Sequence, residues 1–324
     1  MNVKNALYLV KRIPPRVAKR IHDAFSIDNP QKSILPDAVF LMILYKKRVG
    51  KRLHLLKPRT FTEKQQWLKL HDRNPMYTMM VDKYEARNYV GKLIGDQYLV
   101  PLLGVWNRPE EIDFRALPSQ FVLKCNHNSE VFICLDKSKA DVESMRENLN
   151  RQLQVDYYKG KREWPYKNVK RKIICEQFMQ NENGENVVDY KVFCFDGEPR
   201  FIMVNSKRFS EEGVHVDMYD LDWNWMNMQD GHYPMAGDIF EKPKCFVELL
   251  KLSEILSNGI SFVRVDFNYW NHKLFFGELT FFHSAGFDKF QPDPWDEILG
   301  NWLKLPRWSH IRRTNRKRLE DQNE

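Results

Sequence analysis

Hydrophobic spacing gives the chain two textures. Up to about residue 100, apolar positions recur at helical intervals. Pro36-Asp37 predicts a helix running to Tyr45, and Phe61-Thr62-Glu63 opens another to Leu70. Thr62 is the expected N-cap there, with Gln65 three residues on in a capping-box pattern. Residues 82–94 read as a further amphipathic helix, and 98–103 as a strand. From Phe121 onward the period shortens to two. FVLKCNH and VFICLD, split by Asn128-Ser129-Glu130, predict a hairpin. Residues 142–158 are helical in period, and IICEQFM (173–179) reads as a strand. The run DYKVFCFDGEPRFIMVN (189–205) predicts two strands about an Asp196-Gly197 turn. A helix over 246–257 follows, then FVRVDFNYW (262–270) and KLFFGELTFF (273–282), joined at Asn271-His272 as an antiparallel pair. The class is α+β, with helices leading and antiparallel sheet dominating the second half.

Composition narrows the function classes. The 324 residues are 43% hydrophobic and 13% aromatic, enough for a real core. Five cysteines are scattered, none in a CxxC pair or at zinc spacing, which suits a reducing cytoplasm. No apolar run is long enough to cross a bilayer, and the N-terminus lacks the pattern of a secretory signal. The net charge of +8 gathers at the two ends, around Lys11–Arg20 and Arg307–Arg318. Such ends suit peripheral contact with the inner membrane face or an acidic polysaccharide, or plain solvated helix faces. No nucleic-acid motif is present, and no nucleic-acid partner is expected.

Candidate chemistry centres on the last hairpin. Asp266 interrupts the apolar strand Val-Arg-Val-Asp-Phe, and Glu278 interrupts Phe-Gly-Glu-Leu-Thr-Phe. A carboxylate inside an apolar strand is costly unless neutralised, and two on paired strands can share a hard cation. The plain alternative is two solvent-facing residues, or an Arg264–Asp266 ion pair, since these two share a face. Lys124 interrupts Phe-Val-Leu-Lys-Cys just before a polar turn, placing an amine where a phosphate can meet turn amides. Lys83, Lys191 and Arg208 add cationic positions. His127 and His283 are the two histidines in site-like turns. Asp220-Leu221-Asp222, with Asp217 nearby, has the DxD form of a sugar-nucleotide metal site, although its Tyr/Trp-rich setting favours a structural turn. P-loop, GxGxxG, HExxH and GxSxG motifs are all missing.

The stretches DKYEAR, FVLKCNH, DYKVFCFDGEPRFIMV, FVRVDFNYW and FFGELTFFHSAGFDKFQPDPWDEILGNWLKLP together resemble the TupA-like ATP-grasp family, over roughly residues 35–305. That family is associated with cell-envelope and capsular polysaccharide clusters, and its members are sometimes labelled glycosyltransferases. The resemblance implies a nucleotide held between two antiparallel-sheet subdomains. It implies a helical region at 1–75, subdomains at 76–120, 121–180 (the ATP clamp) and 181–305 (catalytic), and a basic tail at 306–324. It further implies that Lys83 and Lys124 hold ATP phosphates beside the His127–Ser129 turn. Glu176, Gln177 and Phe178 would form the adenine hinge, and Glu182 or Glu185 would reach the ribose. Lys191 and Arg208, with Arg264, would serve the γ-phosphate and acyl phosphate. Asp266, Glu278 and Thr280 would bind Mg²⁺, and His283, Ser284, Ala285 and Gly286 would line the acceptor loop. Two departures stand out: the usually glycine-rich phosphate turn reads His127-Asn128-Ser129-Glu130, and the usual Glu-x-Asn reads Glu278-Leu279-Thr280. The implied activity is ATP- and Mg²⁺-dependent ligation of an amine or amino acid to a uronic-acid-containing sugar or glycan. A sugar-nucleotide glycosyltransferase using the DxD is the other reading.

Overall fold

The computed structural model describes residues 19, 23–180, 187–206, 213–231, 233–236 and 240–306. Its helices are α1 (Asp37–Val49), α2 (Phe61–His71), α3 (Met76–Val81), α4 (Glu85–Ile94), α5 (Val142–Gln154), α6 (Tyr157–Lys161), α7 (Phe246–Ser257) and α8 (Pro294–Trp302). Strands β1 (Leu102–Trp106), β2 (Phe121–Cys125), β3 (Val131–Cys134) and β4 (Ile173–Gln177) form a four-stranded antiparallel sheet in the order β1-β4-β2-β3. A six-stranded antiparallel sheet is built from β5 (Val188–Phe195), β6 (Glu198–Ser206), β7 (His215–Tyr219), β8 (Trp225–Met226), β10 (Phe262–Trp270) and β11 (Lys273–Thr280), in the order β11-β10-β5-β6-β7-β8. β9 (Gln229–Asp230) pairs with β12 (Phe290–Gln291). The α+β reading holds.

Each sheet has its own core. Phe121, Leu123, Cys125, Ile173 and Cys175 meet Met145, Leu149 and Leu153 of α5, whose four-residue spacing puts them on one helix face. The large sheet packs Phe193, Phe195, Phe201 and Phe262 against Phe61 of α2 and Leu249 of α7. A third cluster joins Phe40, Leu41 and Tyr45 of α1 to Ala285 and Phe287. All five cysteines are buried free thiols. Among the described residues no helix is long and apolar enough to cross a membrane.

Several boundaries differ from the sequence reading. The N-cap of α2 is Thr60 rather than Thr62: Thr60 Oγ1 accepts from the Glu63 amide, and Glu63 completes a capping box. Thr62 is instead buried, its amide and hydroxyl donating to Asp296 at 2.9 and 2.8 Å. Two overlapping Thr-x-x-Glu/Gln patterns were available, and the one whose acid also takes the Arg59 amide won. Thr60→Ala should cost about 1 kcal/mol of stability, read as a shifted urea midpoint. The helix expected over 82–94 begins only at Glu85, because Asp82 Oδ1 accepts the Tyr84 and Glu85 amides and holds a turn there. The strand expected from Tyr98 starts at Leu102. The helix expected to reach Tyr158 stops at Gln154, and Asp156 caps a new one.

Candidate active site

One face of the large sheet carries a dense ionic cluster. Asp266 of β10 lies directly opposite Lys191 of β5 and Glu278 of β11, and Arg264 lies opposite Thr280. Simple alternation back from the Asn271-His272 turn would instead set Glu278 opposite Val265, on the other face. A β-bulge at Gly277 restores it to the side of Asp266. Glycine fits there because a Cβ would approach the Asp266 carbonyl oxygen to 3.1 Å.

Arg264 grips Asp266 with Nε and Nη2 at 2.7 and 2.6 Å, so the ion pair that competed with a metal site is present. Lys191 Nζ reaches the same carboxylate at 2.7 Å. Arg264 Nη2 also lies 3.4 Å from Glu278 Oε1 and donates to Thr280 Oγ1 at 3.1 Å. Thr280 in turn donates to Glu278 at 3.2 Å. One guanidinium therefore touches both acids, which places them on the same side of the sheet. Burial pushes the Glu278 carboxyl up, but Lys83, Arg264 and Lys191 outweigh it and hold it well below the usual carboxylate range. Although deep in the protein, its side chain is 39% exposed to the cleft, whereas that of Asp266 is 7% exposed. Desolvation works against the Arg264 charge, yet Asp266, Glu278 and Asp230 raise its pKa further.

Lys83 joins this cluster to the small sheet. Its amide donates to Asn126 O, and its Nζ donates to Asn128 O at 3.0 Å and lies 3.3 Å from Glu278 Oε2. Asn126 Nδ2 donates to Asp82 at 2.8 Å, tying the turn after β2 to the start of α4. Lys124 alternates away from the small-sheet core and pairs with Glu176 of β4 at 2.6 Å; Arg87 lies 3.6 Å from the same carboxylate. Glu176 is thus engaged through its side chain, while Gln177 and Phe178 border an open cavity of about 440 Å³ with Leu103 and Gln120. Ser129 is exposed. His127 departs from the nucleotide-facing expectation: it is buried, with Nε2 bonded to Val155 O at 3.2 Å. Burial pushes its pKa down to about 4. Glu182, Glu185 and Arg208 lie outside the described residues, as do the basic runs at both ends apart from Lys19.

The loop after β11 is left-handed at three successive residues, Ser284, Ala285 and Gly286 (φ 48°, 53° and 67°). At Gly286 a side chain would also strike Gln66 Nε2 at 2.5 Å. His283 points inward: Nδ1 accepts from Arg264 at 2.9 Å, Nε2 donates to Asp230 at 3.1 Å, and its ring stacks on Phe290. It braces Arg264 from behind rather than facing the cleft.

Sequence reading missed two groups here, Lys69 and Glu163. Lys69 is 0% exposed, and its Nζ donates to Gln66 Oε1, Lys161 O and Ala285 O at 3.1, 2.9 and 2.6 Å. Burial pushes its pKa down to about 7, against the opposing pull of Glu163. Burial likewise raises the Glu163 carboxyl, despite Lys69 and Lys161. Glu163 is itself buried, and its charge acts on Tyr157 and Tyr166 as that of Glu278 acts on it. An amine whose pKa falls on folding holds its proton more tightly in the unfolded chain. Stability should therefore rise as pH climbs from about 7 toward the ordinary lysine range, with a slope approaching ~1.4 kcal/mol per pH unit. Lys69→Met should remove that part of the slope in urea titrations between those limits.

The DxD segment is a turn that binds itself. Asp220 Oδ1 accepts the amides of Asp222 and Asn224 at 3.0 and 2.7 Å, and Oδ2 takes Asn224 Nδ2 at 3.0 Å. Asp217 is buried, holding Trp225 Nε1 and the Ala236 amide.

The family model described as TupA-like ATPgrasp matches residues 63–304. The chain belongs to this family. No curated protein matches it. Solved structures similar to this ATP-grasp chain include the D-alanine–D-alanine ligase of Bacillus anthracis, at 15% identity and TM-score 0.39, covering 63% of this chain and 58% of that one. The D-alanine–D-alanine ligase of Helicobacter pylori aligns at 13% identity and TM-score 0.38, covering 75% and 69%. The D-cycloserine synthetase DcsG aligns at 15% identity and TM-score 0.39, covering 71% and 72%. This TupA-like chain thus spans little more than half the length of the first of them. The matched segment contains the whole Arg264–Asp266–Glu278 cluster, Lys83, Lys124, Lys191 and the left-handed loop, whereas α1 precedes it.

Proposed function

We propose that the chain is an ATP-dependent carboxylate–amine ligase that joins an amine or amino acid to a uronic-acid-containing sugar or glycan. The observation that carries this reading is the pair Asp266 and Glu278, facing each other on one sheet face with Lys83, Lys191 and Arg264 converging on them. A carboxylate is a poor electrophile. Attack of its oxygen on the γ-phosphorus of ATP releases ADP and leaves an acyl phosphate. The amine nitrogen then attacks the acyl carbon, phosphate departs, and the nitrogen gives up a proton. Catalysis of such a transfer is mostly positioning and charge neutralisation.

The acids suit Mg²⁺: both offer hard oxygen donors, and the three cations crowded against them mark a place that demands positive charge. Asp266 and Glu278 are the residues that would hold the ion, which when bound would neutralise phosphate oxygens. Each carboxylate oxygen has two lone pairs, so acceptance from Arg264 or Lys191 leaves capacity for coordination. Lys83 and Lys191 then orient the phosphates from opposite walls. Lys124, beside Glu176, serves the same nucleotide from the small sheet. Arg264, fixed by His283, presents positive charge where the acyl oxygen becomes negative.

The test is product analysis by mass spectrometry with a panel of uronic acids and amines. ADP together with an amide is expected. AMP would mean adenylation and overturn the acyl phosphate; no ADP with any pair, in protein that binds ATP, would overturn the ligase. Asp222→Asn should leave ADP formation within about twofold of wild type, as ordinary surface substitutions do. A DxD glycosyltransferase would lose its activity instead.

A further inference from the structure

Behind the left-handed loop lies a second cavity, of about 350 Å³, that the ligase chemistry does not use. Its walls are the stretch before α1 at Asp28, the last turn of α1 with Lys47 and Arg48, the end of α6 at Lys161, and the loop itself at Ser284, Phe287 and Asp288. Lys69 holds two of these walls together from within the protein, since its Nζ bonds Lys161 O and Ala285 O at once. Two chain segments join the lining of the cavity to the reacting centre. His283, which braces Arg264, directly precedes Ser284. Lys161 stands two residues before Glu163, and both Lys161 and Glu278 act on the Glu163 carboxyl.

Its charges are partly unspent. Lys47 is satisfied by Asp28 at 2.6 Å. Arg48, Lys161 and Asp288 have no side-chain hydrogen bond or ion pair among the described residues. Cations at the ends of α1 and α6 also favour the helix dipoles, which accounts for Lys46, Lys47, Arg48 and Lys161 one helix at a time without any ligand. That explanation does not extend to Asp288, nor to two helix ends and a carboxylate facing the same space. Two cations with one carboxylate, over a floor of Leu44 and Phe287, match a ligand bearing both an anionic group and hydroxyl donors. A chain carrying only carboxylates would meet Asp288 as a repulsive neighbour.

We propose that this cavity is a subsite for an acidic sugar unit adjoining the one whose carboxylate is activated, an inference that rests on the ligase reading. Arg48 and Lys161 take its carboxylate, and Asp288 accepts from a hydroxyl. The substrate is then at least a disaccharide of uronate type, and the cavity sets a length preference as well as a charge preference.

Calorimetry on the full chain with digalacturonate, diglucuronate, their monomers and the dipeptide Glu-Glu tests this, with Mg-ATP binding measured in parallel. At least one uronate disaccharide should bind roughly tenfold or more tighter than its monomer. Arg48→Gln with Lys161→Gln should abolish that advantage while leaving Mg-ATP affinity and the melting temperature unchanged. Disaccharides that bind no better than monomers, an advantage that survives the double substitution, or tighter binding of Glu-Glu would each overturn the subsite. Disaccharide binding in protein that fails to bind Mg-ATP would keep the subsite and overturn the ligase reading instead.

Discussion

Glu278→Gln is expected to lower ADP formation by a factor on the order of 10²–10³ while the protein stays folded. The substitution keeps the shape of the side chain and removes the one acid of the cluster that opens broadly to the cleft. Arg264 and Lys191 keep Asp266 as partner, and Lys83 keeps the Asn128 carbonyl, so none of the three cations is left without an acceptor. The amide cannot replace the charge that Lys83 meets at 3.3 Å, and it is a weaker ligand for a hard cation. Steady-state kinetics should place most of the loss in turnover, with a thermal midpoint close to that of wild type. A melting transition lowered as far as that of an Asp266 variant would show that Glu278 is a structural acid.

Asp266→Ala should behave differently. This carboxylate accepts three short hydrogen bonds from two cations, and its side chain is 7% exposed. Removing it leaves Arg264 with Glu278 at 3.4 Å and the neutral acceptors Thr280 and His283, and Lys191 with Asp189 at 4.0 Å, in place of a shared short-range carboxylate. Breaking one side of a buried ion pair costs about 3–5 kcal/mol, a large share of a typical domain's stability. Chemical denaturation should show that loss, along with loss of activity. A midpoint unchanged from wild type would mean that water already screens the cluster.

Much of the site was legible because its residues break a pattern. Asp266 and Lys124 stand out as charges inside apolar strands, and both point away from the hydrophobic cores toward ionic partners. Lys69 broke no pattern. In α2 the residues Thr62, Gln65, Gln66 and Lys69 share a helical face, which in sequence looks like a solvated surface. All four are 0% exposed; the loop carbonyls of Ala285 and Gly286 take the Gln66 and Lys69 donors, and Asp296 takes those of Thr62. Only the tertiary partner reveals such a face. Element boundaries failed where a side chain competed with the backbone: Asp82 delayed one helix and Asp156 capped a second where a single run was expected. The two strands of the last hairpin matched well because Asn271 and His272 both adopt positive φ, which suits a two-residue hairpin turn.

The bulge at Gly277 imposes a parity rule on the hairpin. Between the Asn271-His272 turn and Glu278, adding a single residue beyond the bulge swaps inside for outside, whereas adding a pair preserves the facing. Insertion in this stretch is therefore constrained more tightly than residue type. Deleting Gly277 itself would remove the bulge and leave the acid opposite Asp266 in plain register, so the glycine absorbs the one residue that the hairpin carries in excess.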